Sequence, residues 1–439
     1  MFKETSKELL DFLSKSPTAF HAVENYRQIL NADGFKELLE SEHWDIVPGG
    51  KYYVTRNNTS ILAFKVGTKL DNYSFNIVTS HTDSPTFKVK ESAEIEVKNK
   101  YTQLNTEGYG GMLCATWLDR PLSIAGRVLV SEGNSIVTKL LNIDRDLLMI
   151  PNVAIHMNRA ANDGFKYNLQ VDMLPLLSAG DDRQKDFKQI IADELGVKKE
   201  DILGHDLYLY NRMAPSIWGA NEEFISSGHL DDLQCGFASL KALLAGYNDE
   251  SIDIMACFDN EEVGSGTKQG ADSTLLRDTL IRINNALGKT EEDYHRALAS
   301  SFMLSADNAH AVHPNHPEHT DVTNCTYMNE GVVVKSHAGQ KYTSDGVSMA
   351  VVKALASGAD VPLQYFANRS DKAGGSTLGN IAMAQASMNA VDIGLPQLAM
   401  HSSYETAGIK DTYYAISLMK ALFDSHIQET STHSLEIKR

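Results

Sequence analysis

A short apolar run that ends in a group of acidic residues is the feature that most constrains how this chain folds. Residues 252–258 predict a mostly buried β-strand, and Asp259-Asn260-Glu261-Glu262 follows directly. Open α/β sheets have their active sites at the C-terminal ends of strands. Neighbouring side chains point in different directions there, so one glutamate is free to bind a metal ion while the other transfers a proton. Taken alone, the pair fits a solvated surface equally well.

Four other segments place metal-binding groups at the ends of predicted strands or at the start of a helix. They are His81 and Asp83 after the apolar run 75–79, Asp231 and Asp232 before the helical run 233–244, Asp307 after the run 302–304, and His401 after the run 397–400. Taken singly, each fits a structural role, and helix capping would explain one of the two adjacent aspartates. Together with the glutamate pair, they form a set of ligands that suits two zinc-like ions sharing one bridging carboxylate.

The chain resembles a known family at seven segments, which occur in the family's order and span nearly the whole length. These segments are residues 12–23, 80–85, 154–159, 230–231, 259–265, 305–314 and 396–402. They are similar to the motifs of the aspartyl aminopeptidases, a group within the co-catalytic metallopeptidases. The resemblance implies an α/β zinc metallopeptidase that hydrolyses the N-terminal residue of peptides, with a preference for Asp or Glu.

The resemblance also assigns the metal site. Asp231 would bridge two divalent ions, because the Leu-Asp register favours it over Asp232, where some family members carry Asn. The other ligands would be His81 and Asp307 at one ion, and Glu262 and His401 at the second. We expect two ions per subunit, Zn²⁺ in the first instance, with Mn²⁺ or Co²⁺ as alternatives. A water bridging the ions would attack the peptide, with Glu261 as the general base and Asp83 orienting His81.

Four further residues receive a role only through the resemblance. Taken alone, His156 is an ordinary surface or core histidine. In the family, the matching histidine reaches into the neighbouring subunit's active site and stabilises the oxyanion. Lys335, taken alone a solvated lysine, becomes a cation on the substrate side, with Tyr342 and His310 beside it. The glycine-rich run 374–379 fits neither common phosphate-loop pattern and predicts a turn that lines the substrate cleft.

The distribution of strand and helix patterns predicts two domains. Strands and helices alternate at about residues 61–85 and again from 231 to the end, as expected of an α/β fold. The middle of the chain instead shows short strands separated by turns. We therefore expect a catalytic domain formed by residues 1–91 and 222–439, and a β-rich inserted domain at 92–221. The resemblance implies that this insert forms dimers, six of which build a tetrahedral dodecamer.

Composition excludes several classes of partner. The net charge of −17 argues against nucleic acid and anionic membranes as partners. The chain has no apolar run of about 18 residues that would cross a bilayer, and its first residues enter an amphipathic helix and do not form a signal peptide. The four cysteines are scattered and predict reduced side chains. We expect a cytoplasmic protein whose partners are peptide substrates and other copies of itself.

Two classes of enzyme share this predicted metal chemistry. The first is an aminopeptidase, either acid-preferring or of neutral specificity. The second is a hydrolase of another amide, such as an N-acyl amino acid deacylase, which differs in what the cleft anchors. An inactive structural paralogue is a third alternative, but the complete ligand set and Glu261 argue against it.

Overall fold

A nine-stranded mixed sheet forms the centre of the catalytic part of the molecule. The computed structural model describes residues 1–439. The strands of this sheet, in spatial order, are β1 (Lys36–Glu37), β2 (Lys51–Arg56), β3 (Ser60–Val66), β13 (Ser251–Phe258), β4 (Ser74–His81), β14 (Phe302–Ala306), β18 (Asn389–Gly394), β16 (Val332–Lys335) and β17 (Leu363–Phe366). The four neighbours β13, β4, β14 and β18 run parallel, so their C-terminal ends lie at one edge.

Helices cover both faces of the sheet. They are α1 (Phe2–Ser14), α2 (Ala19–Ala32), α4 (Leu230–Ala245), α5 (Leu275–Ala286), α6 (Glu291–Ala299), α7 (Gly346–Gly358), α8 (Leu378–Gln385) and α9 (Asp411–Phe423). Because successive side chains of a strand point to opposite faces, β3 contributes to two separate cores. Ile61 and Ala63 pack in one core with α1, α4 and α9, whereas Leu62 and Phe64 pack in the other with α5 and α8. Burial on both faces explains why these strands read as continuous apolar runs.

The middle of the chain forms a separate six-stranded antiparallel sheet. Its strands, in spatial order, are β8 (Ser135–Asn142), β7 (Leu122–Glu132), β10 (Ile202–Asn211), β5 (Thr86–Val97), β6 (Tyr101–Tyr109) and β9 (Leu176–Ala179). This sheet has its own apolar core, which α3 (Phe187–Leu195) covers and in which Phe87 and Trp117 pack edge to face at 5.3 Å. The prediction of an α/β chain with a β-rich insert is confirmed. The domain limits at residues 92 and 221 stay a prediction, and the six-stranded sheet itself runs from Thr86 to Asn211.

A small five-stranded sheet joins distant parts of the chain beside the strand ends. It contains β11 (Ser216–Trp218), β12 (Phe224–Ser227), β20 (Glu405–Gly408), β19 (Pro396–Leu398) and β15 (Ala309–His310). A final hairpin, β21 (His426–Ser431) and β22 (Ser434–Lys438), completes the chain. None of the helices is both long and apolar enough to cross a bilayer.

Candidate active site

Three parallel strands deliver acidic residues and a histidine to one edge of the central sheet. His81 is the last residue of β4, and Asp307 follows the end of β14 directly. Glu261 and Glu262 lie on a single turn just after β13. Because β4 lies between β13 and β14, and Phe258 is paired with His81 in register, these side chains converge. This convergence follows the rule that places sites at the carboxyl ends of parallel strands.

Two groups of three ligands share Asp231. The first group is His81, Asp231 and Asp307, and the second is Asp231, Glu262 and His401, with the ligand atoms of each group within 4.8 Å of one another. Asp231 Oδ1 lies 3.6 Å from His81 Nε2. Its second oxygen, Oδ2, lies 3.6 Å from His401 Nε2, which is also 3.3 Å from Glu262 Oε2. One carboxylate thus faces both imidazoles.

The neighbouring Asp232 belongs to neither group. It is fully buried, and its Oδ2 accepts a hydrogen bond from the backbone N–H of His81 at 3.1 Å. Burial raises the pKa of Asp232 well above its usual range, and the nearby Asp307 carboxylate acts in the same direction. The geometry therefore distinguishes the two aspartates, which lie on either side of a cis peptide bond.

Glu405 fixes two of the grouped residues and was not identified from the sequence. It is buried, and its two carboxylate oxygens accept hydrogen bonds from the backbone N–H groups of Asp231 at 3.0 Å and His401 at 2.8 Å. His401 lies in a turn with a φ of 66°, and of the apolar segment before it only the first part is a strand, since β19 ends at Leu398. The pattern of residues gives no sign of this role, because Glu405 contacts backbone groups, which every residue has.

Asp83 holds His81 from the side opposite Asp231. The nearest Asp83 atom to His81 Nδ1 is the backbone carbonyl oxygen, at 3.0 Å, and the carboxylate is 3.4 Å away. The Asp83 carboxylate itself accepts hydrogen bonds from the backbone N–H groups of Glu261 and Glu262, each at 3.1 Å. A bond to Nδ1 fixes the ring orientation and leaves Nε2 free to bind a metal ion.

The electrostatics of the site favour bound cations. Asp231 Oδ1 and Glu262 Oε1 are buried and accept no hydrogen bond from the protein. Burial alone would lower the pKa of His401, but its contacts with Asp231 and Glu262 raise that pKa to about 10. Buried carboxylates without partners are strongly destabilising. A divalent ion removes that penalty, and a set of imidazole nitrogens and carboxylate oxygens suits zinc.

A cavity of about 200 Å³ opens beside the two groups. Its wall contains Glu261 and all three residues expected on the substrate side, Lys335, His310 and Tyr342. Lys335 is buried and donates a hydrogen bond to the carbonyl of Asn308 at 2.9 Å, with Asp307 Oδ1 at 3.8 Å. Two lining residues, Phe366 and Asn368, were not identified from the sequence. The glycine-rich turn was expected at the cleft, and its residues 375–377 line the cavity.

His156 does not lie in its own chain's cavity. It occupies an irregular segment of the insert between β8 and β9, and its side chain is exposed. Three apolar neighbours, Val153, Ile155 and Met157, are also exposed, Met157 to 83%. His156 is therefore a surface residue of this chain and contributes nothing to the lining of its cavity.

Comparisons with known proteins give one consistent result. The sequence profile of the family described as aminopeptidase I zinc metalloprotease (M18) matches residues 12–423. A probable M18 family aminopeptidase 2 of Clostridium novyi (strain NT) is 48% identical over 425 residues, which cover 95% of this chain and 98% of the relative. The fold is similar to that in the cryo-EM structure of the Ape4 and Nbr1 complex, with a TM-score of 0.92, 35% identity and coverage of 96% of this chain and 86% of the other. It is also similar to the S. cerevisiae mApe1 dodecamer, with a TM-score of 0.84, 28% identity and coverage of 96% and 97%.

Proposed function

Since the chain belongs to the aminopeptidase I zinc metalloprotease family (M18) and is a metalloaminopeptidase, we propose that it releases N-terminal residues with two divalent ions that share Asp231. The observation that carries this proposal is the orientation of one buried carboxylate, which presents an oxygen to His81 and the other to His401, each at 3.6 Å. A carboxylate in that orientation suits a bridge between two cations.

The proposed ligands divide into one set per ion. His81, Asp231 and Asp307 hold the first, and Asp231, Glu262 and His401 hold the second. Zinc is the natural choice, since the family is one of zinc metalloproteases. When bound, the two ions polarise the peptide carbonyl and activate water near neutral pH. Asp83 and Glu405 keep the ligands in place, because each accepts hydrogen bonds from the backbone of ligand residues.

Glu261 is the proposed general base. Its carboxylate lies within 4.8 Å of the ligand atoms of His81 and Glu262 but belongs to neither group that contains Asp231. Burial raises the pKa of Glu261 to about 7, within the range in which a carboxylate both accepts and returns a proton near neutral pH. Glu261 takes a proton from water as the water oxygen bonds to the peptide carbonyl carbon, and it then delivers that proton to the nitrogen of the leaving amine. The peptide C–N bond breaks, and Glu261 is regenerated as a carboxylate.

A substitution that keeps the shape of Glu261 tests this assignment. Glu261→Gln should retain both ions and the fold, while turnover falls by about 10²- to 10⁴-fold, because one positioned acid–base group is lost. Metal analysis and peptide-release kinetics on the same preparation check both parts. Glu262→Gln is the matched control and should lose bound metal. Loss of metal from Glu261→Gln, with activity in proportion to the ion that remains, would mean that the roles of the two glutamates are exchanged.

The cavity supports a preference for Asp or Glu as the released residue. A buried substrate carboxylate needs a cation or several donors. Burial alone would lower the pKa of Lys335, but the Asp307 carboxylate raises it, so the ammonium group stays charged. One of its three N–H groups donates to Asn308, which leaves capacity for a substrate oxygen. Tyr342 and Asn368 line the same cavity, and the amide nitrogen of Asn368 has no partner in the protein.

Removal of the Lys335 charge tests the acidic preference. The wild-type enzyme should cleave peptides that start with Asp or Glu faster than those that start with Leu. Lys335→Met should reduce that ratio by about 10- to 150-fold, the equivalent of one charge-assisted contact of about 1.5–3 kcal/mol. The measurement is kcat/KM on matched Asp, Glu and Leu substrates. Lys353→Met is the control, because Lys353 is on α7 and lies over the ring of Tyr365.

Three other results would change the proposed substrate class or the role of Lys335. A wild-type preference for Leu indicates the alternative of a neutral-specificity aminopeptidase. An equal loss on all substrates in Lys335→Met means that the lysine serves Asp307, 3.8 Å away, and does not read the substrate. Faster hydrolysis of N-acyl amino acids than of peptides with a free amine would favour the deacylase.

Self-association through the insert is the last part of the proposal. The similar mApe1 protein of S. cerevisiae forms a dodecamer. The exposed apolar residues beside His156 are suited to burial against another subunit, since monomers rarely expose such clusters. We place His156 in the neighbouring subunit's active site, as the group that stabilises the oxyanion, within dimers that assemble into a dodecamer.

Mixing two inactive variants tests the shared site. Glu261→Gln chains keep His156, and His156→Ala chains keep Glu261. In a mixed dimer, the His156→Ala chain keeps its own Glu261 and receives His156 from its Glu261→Gln partner, so its site is complete. After the subunits of an equal mixture have exchanged, half of the dimers are mixed, and each mixed dimer has one working site of two. About a quarter of all sites should therefore be active. A fully active monomer in sedimentation, or no recovery after demonstrated exchange, would contradict this arrangement.

A further inference from the structure

Three consecutive residues of the insert reach the proposed metal site, one through Asp83 and two by lying against the ligand residues Glu262 and His401. They are Tyr109, the last residue of β6, and the two residues that follow, Gly110 and Gly111. None of them is a proposed metal ligand. Tyr109 belongs to the six-stranded sheet, and the two glycines directly follow its strand β6. Each contacts a different part of the site.

Tyr109 acts on the His81 side of the site. Its hydroxyl donates a hydrogen bond to Asp83 Oδ2 at 2.6 Å and accepts one from Asn260 Nδ2 at 2.8 Å. The same Asp83 carboxylate accepts hydrogen bonds from the backbone N–H groups of Glu261 and Glu262, and the Asp83 carbonyl lies 3.0 Å from His81 Nδ1. Tyr109 thereby fixes the residue that orients His81 and holds the turn with both glutamates.

Gly110 brings the insert backbone against Glu262. Its φ is +74°, a left-handed conformation that glycine adopts without strain. A Cβ at this position would lie 3.1 Å from the Cβ of Glu262 and 3.4 Å from its carbonyl oxygen. A side chain at this position would therefore strain the left-handed backbone and press against Glu262.

Gly111 and the residue two positions later hold His401. The carbonyl oxygen of Gly111 accepts a hydrogen bond from His401 Nδ1 at 2.8 Å, which leaves Nε2 towards Asp231 and Glu262. The backbone N–H of Leu113 donates to the carbonyl of His401 at 2.9 Å. The insert therefore sets both the ring and the backbone of this histidine.

We propose that the segment Tyr109–Gly111 makes the insert a positioning element for both metal ions, with Tyr109 as its principal side chain. This inference rests on the ligand assignment of the proposed function. A hydrogen bond to the outer nitrogen of a ligating imidazole fixes its orientation and raises its basicity, and loss of such support typically weakens metal binding by about 10- to 100-fold. A displacement of the insert would therefore change metal affinity, even though the insert contributes no ligand.

Tyr109→Phe tests the proposal, because it removes one hydroxyl and keeps the ring. Metal-free protein is reconstituted with Zn²⁺ alone and titrated against a chelator of known affinity. We expect the ion assigned to His81 to bind about 10- to 100-fold more weakly, with a smaller loss at the ion assigned to Glu262, in a protein that still folds without metal. Tyr208→Phe is the control, since its ring contacts Tyr109 edge to face at 5.8 Å and its hydroxyl bonds to no protein group.

The other end of the segment provides a second variant. Gly110→Ala should instead weaken the binding of the ion assigned to Glu262 and His401, again measured by chelator competition.

Wild-type zinc affinity at both sites in Tyr109→Phe would overturn the positioning role and leave the ligand assignment intact. Fewer than two zinc ions in the wild type would overturn the ligand assignment, and this inference with it. Equal weakening in Tyr208→Phe would show a general packing effect and also overturn the role of the Tyr109 hydroxyl.

Discussion

The contact of Asp231 with two histidines is the interaction on which the rest of the site depends. Its two oxygens face His81 and His401 at the same distance of 3.6 Å. Asp231 lies at the beginning of α4, a helix that is apolar on most sides and packs between β4, β13 and α9. The position of this carboxylate is therefore set by the packing of the main core, and a displacement of α4 would move the bridge relative to both histidines.

The site concentrates buried carboxylates that the protein alone does not neutralise. Lys335 is the one lysine that lines the cavity, and it is engaged by Asn308 and Asp307. Oxygens of Asp231 and Glu262 are left without hydrogen-bond partners. A fold keeps such groups close together only when other parts of the structure hold them, as Asp83, Glu405 and the Tyr109–Gly111 segment do here. Cations that bind this set complete the local charge balance.

The sequence was sufficient to predict most of the residues that meet at the site. His81, Glu262 and Asp307 each follow an apolar strand, and parallel strands bring such positions to one edge. The family resemblance selected Asp231 over Asp232, which the strand pattern alone left open. Lys335 and Tyr342 likewise entered through the resemblance and lie in the same cavity.

The supporting contacts were beyond sequence reasoning for a physical reason. Glu405 is bonded to backbone groups of Asp231 and His401, and Gly111 contributes only a carbonyl oxygen. Backbone groups are the same at every position, so such partners leave no pattern in the side chains. In the sequence, Tyr109 looks like any tyrosine at the end of a strand. Its contact with Asp83 depends on how the six-stranded sheet is placed against the nine-stranded sheet, and the pattern of residues does not predict that placement. The most direct test of the central claim compares zinc content in Asp231→Asn and Asp232→Asn, since both changes keep the shape and remove one carboxylate. Asp232→Asn should bind two zinc ions per chain, whereas Asp231→Asn should bind both ions more weakly. Unchanged binding of two ions in Asp231→Asn would contradict the shared bridge.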